Sequence, residues 1–165
     1  MKRLGILICG ALSLVLAASG GAPAQTLKDI QGAWTLEALF VEAGDKKIEP
    51  YGPNPKGMQI FDPTGRFSIT VFRAGLPKVA SNNRETSTPE ESATILRGMI
   101  AYFGTYTFNE ADKMLTIKIE NVSFTNWEGV EQKRLVSVAG DVMTVTNPTV
   151  SSGAGVAKIV WKRAK

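Results

Sequence analysis

From residue 33 onward, apolar and polar side chains alternate with a period of two, in short runs separated by turn residues. This pattern predicts eight strands, over residues 33–41, 58–61, 66–73, 102–108, 114–121, 130–138, 142–146 and 156–163. In the first, Trp34, Leu36, Ala38 and Phe40 share one face, and Thr35 and Glu37 the other. In the third, Phe67, Ile69 and Val71 alternate with Ser68 and Thr70. In the fifth, Leu115, Ile117 and Ile119 alternate with Thr116, Lys118 and Glu120. Many short half-polar segments with one wet face predict an antiparallel all-β sandwich or barrel. One helix is predicted between the third and fourth strands. Thr88 suits its cap, Pro89 its first position, and Glu90 and Glu91 its first turn; it runs to about Ile100, carrying Ile95, Leu96, Met99 and Ile100 as apolar residues. Residues 74–87 are polar and are expected to form a mobile loop, and no internal repeat is present.

The lengths of the connections add a direction. In an up-and-down meander, Asp62–Gly65, Asn109–Lys113 and Ala139–Asp141 are tight turns falling at one end, and the long connections fall at the other. The expected fold is therefore an eight-stranded antiparallel up-and-down barrel with a tight floor and an elaborated mouth, wide enough for one small ligand.

Before this domain the chain carries a different signal. Lys2 and Arg3 precede an apolar run from Leu4 to Ala18, and Ala22-Pro23-Ala24 forms a small-x-small cleavage pattern. The run is shorter than the roughly 20 residues of a comfortable membrane span. Residues 1–24 are therefore expected to be a cleaved export signal, and 25–165 the barrel domain, periplasmic or secreted, with no stable membrane insertion. Cys9 lies inside the run and follows Ile8, which is too large for a lipid-attachment site, so Cys9 is expected to leave with the signal.

Composition then narrows the chemistry. The chain has no His, and Cys9 is its one Cys. Beyond residue 24, thiol nucleophiles, His general bases, Ser-His-Asp triads and Cys/His zinc sites are excluded, as are disulfides. No cofactor or metal is called for. Of the 19 basic residues, two belong to the expected signal; the rest oppose 15 acidic ones, and so small a surplus indicates no nucleic-acid partner. Nothing sets an oligomeric state.

In a closed meander the start of the first strand lies beside the end of the last. Arg163 shares parity with Ile159 and Trp161, points inward, and is expected to stack on Trp34 as a structural plug. Gly32-Ala33-Trp34-Thr35-Leu36 with that closing Arg resembles the lipocalin and calycin pattern. The chain is more closely similar to the small lipocalin-like domain of bacterial proteins. Glu49-Pro50-Tyr51-Gly52-Pro53-Asn54-Pro55-Lys56-Gly57, Asp62-Pro63-Thr64-Gly65-Arg66, Ala101-Tyr102-Phe103-Gly104-Thr105-Tyr106 and Gln132-Lys133-Arg134 carry that likeness across nearly all of residues 25–165. The resemblance implies an eight-stranded barrel with a small apolar ligand and supplies no catalytic residues.

Strand parity assembles a candidate site at the mouth from Arg73, Tyr102, Gln132 and Arg134, with Phe40 and Tyr106 completing the ligand-binding set. The expected cavity is lined by Phe40, Phe67, Ile69, Tyr106, Leu115, Ile117 and Val136, opening between the helix and the first long loop. Two Arg residues suit a carboxylate or another anion; the plainer alternative is that they pair with Glu or backbone carbonyls and seal the mouth. Trp127 either covers the mouth or packs on the rim. The Pro-rich segment 49–57 reads as a rigid connection, and Glu90-Glu91 as a solvated helix start, since helix neighbours point apart. The favoured function is an exported binder of an apolar or weakly anionic small molecule. A cyclase or isomerase using Tyr102, Tyr106 and Arg134 is one alternative, for which a Tyr hydroxyl bonded to Arg inside a cavity is the mark. A filled barrel binding proteins through a patch at Trp127 or Tyr51 is another.

Overall fold

A computed structural model describes residues 25–165; the expected export signal lies outside the described residues. Gly32–Ala43 (β1) pairs antiparallel with Lys56–Phe61 (β3) on one side and with Val156–Arg163 (β9) on the other. Between them, Arg66–Phe72 (β4), Met99–Asn109 (β5), Met114–Val122 (β6), Glu131–Ala139 (β7) and Val142–Asn147 (β8) each pair with the next. Eight strands thus close into the antiparallel barrel that the alternation and loop lengths predict. Lys46–Ile48 (β2) is an added ribbon folded back on the end of β1.

Two irregularities set which side chains reach the lumen. The β1–β9 register slips between Leu36 and Ala38, leaving Glu37 as an extra residue on β1. A bulge of this kind flips every later side chain to the other face. Trp34 and Leu36 point inward before it, and Leu39 and Val41 after it. Phe40, expected inside, is therefore outside, under the Lys47 ammonium at 4.1 Å. A second slip lies between β5 and β6 at Phe103/Gly104. Gly104 is required there, because a Cβ would lie 1.9 Å from the Lys118 carbonyl oxygen.

β3 runs against its own hydropathy. Gln59 and Phe61 face the lumen, and Met58 and Ile60 lie on the outer surface, 48% and 38% exposed. The helix α2 spans Pro89–Arg97. Its start is a capping box: the Thr88 hydroxyl accepts from the Glu91 N–H, and the Glu91 carboxylate accepts from the Thr88 N–H. It stops sooner than expected. Gly98 caps it, and the Gly98 carbonyl accepts from the Arg73 N–H, which delivers Met99 and Ile100 into β5. The preceding loop is tied to α2 by the Ala80 N–H, which donates to Glu91.

The floor is closed by a short helix, Leu27–Ile30 (α1), lying across the start of β1. Trp34, fully buried, donates from its indole to the Ile30 carbonyl at 2.9 Å. The Arg163 guanidinium stacks 4.2 Å from the Trp34 ring and donates to the carbonyls of Gln31 and Asp29. It therefore satisfies backbone oxygens at the exit of α1 while covering the indole. Gln25 bridges β7 with its side-chain amide, accepting from the Val138 N–H and donating to the Val136 carbonyl. Above this layer Phe61, Leu115, Ile117, Val136 and Met143 fill the lower lumen.

Candidate ligand-binding site

The upper half of the barrel is lined differently. A cavity of about 50 Å³ lies between Gln59 on β3, Ile69 and Val71 on β4, Tyr102 on β5, Arg134 on β7, Val145 on β8, and Ile159 and Trp161 on β9. Tyr51, Trp127 and the 150–152 loop cover it. Each strand contributes by alternation, so the polar members are the lumen-facing residues of otherwise apolar faces. A few convergent polar groups in an apolar wall is the usual composition of a small-molecule site.

Arg134 is the centre of this arrangement. It is 1% exposed. Its Nη1 donates to the Tyr102 hydroxyl oxygen at 2.9 Å, and its Nη2 to the Gln132 Oε1 at 2.8 Å. No carboxylate lies within ion-pair distance of it among the described residues. A buried cation is ordinarily paired, because its desolvation is costly. Among the described residues its Nε finds no acceptor, nor do the Gln132 Nε2 and the Trp161 Nε1. The Gln132 amide is fixed in this orientation, since its oxygen must face the guanidinium. Gln59 Nε2 has only the Met143 sulfur at 3.8 Å, a weak acceptor. The Tyr102 oxygen accepts from Arg134, so its own proton remains to be donated.

An aromatic column runs through both halves. Tyr106 meets Phe61 edge-on at 4.9 Å, Phe61 approaches Phe67, and Phe67 meets Tyr102 at 5.9 Å. Tyr102 then meets Trp127 at 6.2 Å, and Trp127 meets Phe124 at 5.6 Å. All but the tilted Phe61–Phe67 pair meet edge to face, the geometry that aromatic pairs favour. Tyr51 is buried in the lid, and loss of water pushes its hydroxyl up to about 12, against a hydrogen bond with Ser151 and with a small contribution from Tyr102.

Of the residues singled out from the sequence, Tyr102, Gln132 and Arg134 come together. Three others do not. Phe40 lies outside because of the β1 bulge. Arg73 follows the last residue of β4, is exposed, and donates to the Pro50 carbonyl at 3.0 Å, bracing the lid loop from outside. Tyr106 belongs to the floor: its hydroxyl donates to the Asp62 carbonyl at 2.8 Å and accepts weakly from Gln31, and burial raises its pKa. Of the expected cavity lining, Ile69 alone lines the cavity; Phe67, Leu115, Ile117 and Val136 are packed below it. Trp127 covers the cavity and Tyr51 is buried, so neither forms an exposed patch. Gln59 and Trp161 were missing from the expected set. Trp161 shares parity with Ile159 and was recognisable; Gln59 was hidden by the apolar Met58 and Ile60 beside it.

A family model described as Lipocalin-like domain matches residues 31–164. The chain belongs to the lipocalin-like domain family. Its relatives include the 4'-hydroxy-3'-methoxypropiophenone carrier protein ppsC of Aspergillus oryzae, 30% identical over 94 residues, a match covering 52% of this chain and 85% of that protein. Among solved structures, a mutant of the fluorescent protein UnaG aligns over 84% of this lipocalin-like chain and 99% of its own, with a TM-score of 0.37 and 11% identity, too distant to bear on the ligand.

Proposed function

We propose that this lipocalin-like protein is an exported carrier that takes a small, mainly apolar molecule through the barrel mouth and holds it above the packed floor. The carrying observation is the upper cavity: it is walled by apolar side chains, converges on Arg134 and Tyr102, and sits under a lid of Tyr51, Trp127 and residues 150–152. The carrier named among its relatives supports the reading, since the compound in that name is a substituted aryl ketone of modest size. Export rests on the basic start, apolar run and Ala22-Pro23-Ala24 of the sequence. The test is native mass spectrometry of protein isolated from the extracytoplasmic fraction of its own cells. The expected result is an amino terminus at Gln25 and a reproducible bound small molecule. Clean spectra, together with failure of the neutral probe N-phenyl-1-naphthylamine to bind, would remove the carrier reading.

One observation favours a second reading. A Tyr hydroxyl bonded to Arg inside a cavity is what an isomerase without His or Cys requires, and Tyr102 and Arg134 provide it. In that case the Tyr102 hydroxyl would hydrogen-bond the carbonyl oxygen of a bound ketone as enolate charge develops there, while solvent water takes the proton from the α-carbon. Solvent deuterium exchange into an enolisable aryl ketone, lost in Tyr102→Phe, is the result this reading requires; no exchange above the buffer rate excludes it.

A further inference from the structure

We infer that the ligand is an amphipathic organic anion, bound head-first, with a carboxylate or acidic phenolate against Arg134 and its apolar body in a second chamber outside the lumen. This rests on the carrier reading and assigns its ligand class and orientation.

Unpartnered donors set the chemistry of the head. Around the upper cavity, Arg134 Nε and Trp161 Nε1 have no protein acceptor, the Tyr102 proton is available, and Gln59 Nε2 faces only a sulfur. Arg134 also brings a full positive charge into a wall without a carboxylate. A group that only accepts hydrogen bonds and carries negative charge answers all of these at once. An amine would add donors and a like charge, and an ester would leave the charge uncompensated.

The sizes of the two spaces set the orientation. At about 50 Å³ the inner cavity has room for a few water-sized groups, far less than the roughly 150 Å³ known to hold a benzene ring. Directly outside lies a chamber of about 480 Å³ whose apolar wall is Leu96, Met99, Ile100 and Phe124. It shares Pro50, Tyr51, Ile100, Ser151 and Ser152 with the inner cavity, so the two spaces adjoin at these residues. A carboxylate fits inside and a ring fits outside. The reverse placement would bury the ring in the smaller space and leave the buried guanidinium unanswered. The long exposed side chain of Leu96, 59% accessible, would be covered by a molecule filling the outer chamber.

The probes are 3-phenylpropanoate, its methyl ester and its amide, titrated calorimetrically into the full protein, with N-phenyl-1-naphthylamine as a neutral control. The acid is expected to bind at least tenfold more tightly than the ester or the amide. Arg134→Met should reduce that preference to within about twofold, and Arg134→Lys should restore part of it. Leu96→Asp should weaken the acid at least threefold while leaving acetate unchanged. Each variant is compared at matched folded fraction by circular dichroism. Equal binding of acid and ester to the wild-type protein, or an acid preference that survives in Arg134→Met, overturns the inference. If the neutral control binds and the acid does not, the anion assignment fails while the carrier reading stands. If none of the four binds, both fail.

Discussion

Below the level of Ile69 and Val145 the lumen is filled by Trp34, Phe61, Leu115, Val136 and Met143, and the polar atoms at the floor find partners. Arg163 gives its protons to two carbonyls and its face to an indole. Above that level Arg134 is more deeply buried than Arg163 and also meets a hydroxyl, an amide oxygen and, at 5.4 Å, the Tyr102 ring, yet its Nε is left over and, unlike Arg163 with Asp141 at 3.9 Å, it has no carboxylate near it among the described residues. The same residue type, in one barrel, is a plug with a carboxylate nearby at one end and a more deeply buried cation without one at the other. Burial alone therefore does not separate the two arginines; the completeness of their partners does.

Substitutions at the two ends should have different effects. Trp34→Ala should cost about 3–5 kcal/mol in urea unfolding, the range for truncating a buried aromatic, whereas Trp127→Ala, at a partly buried residue, should cost much less. Equal costs would erase the distinction between floor and mouth. Arg134→Met should raise the stability of the ligand-free protein by about 1–3 kcal/mol, because an apolar side chain of similar length avoids the desolvation of an unpaired cation. Arg163→Met should lower it, since two carbonyls and an indole face lose their partner. A loss at both sites would make Arg134 a second plug.

The lid is sharpened by alkaline titration. Tyr51 has its ionisation pushed up to about 12 by burial. A raised acid favours its protonated form in the fold, so its contribution is complete below the unfolded value near 10 and fades as pH rises from 10 to 12. The loss should reach about 2 kcal/mol, and Tyr51→Phe should abolish that step in a pH series of urea midpoints. An unchanged series in the variant would separate the alkaline loss from the lid. The smallest effect belongs to the helix over the mouth. Thr88→Ala should cost about 1 kcal/mol of local stability by removing the cap, seen as faster hydrogen exchange in α2 with unchanged exchange at Trp34 and Phe61. Faster exchange at the floor would mean that the two ends unfold together.

Closure of the barrel was legible because period-two alternation and the split between short and long connections are both written along the chain. The start of α2 was legible because Thr88, Pro89 and the two Glu residues each suit one helix position. Tyr102, Gln132 and Arg134 were found because their strands keep unbroken parity from an apolar floor to a polar mouth. Phe40 was misplaced because Ala38, Leu39, Phe40 and Val41 are all apolar, and an extra residue in such a run leaves no trace in the hydropathy. Gln59 was missed for the opposite reason: β3 turns its aliphatic residues outward, where only the register with Phe61 and Phe67 decides the face. The end of α2 was overrun because Met99 and Ile100 suit a helix stripe and a strand equally well.

The three tryptophans stand at three heights: Trp34 under a guanidinium at the base, Trp161 against the inner cavity, and Trp127 in the lid. The protein therefore carries its own optical gauges. Single-tryptophan versions would emit from distinct surroundings, so that entry of a guest, its arrival at the inner wall and any loosening of the base could be timed separately by fluorescence without attaching a dye.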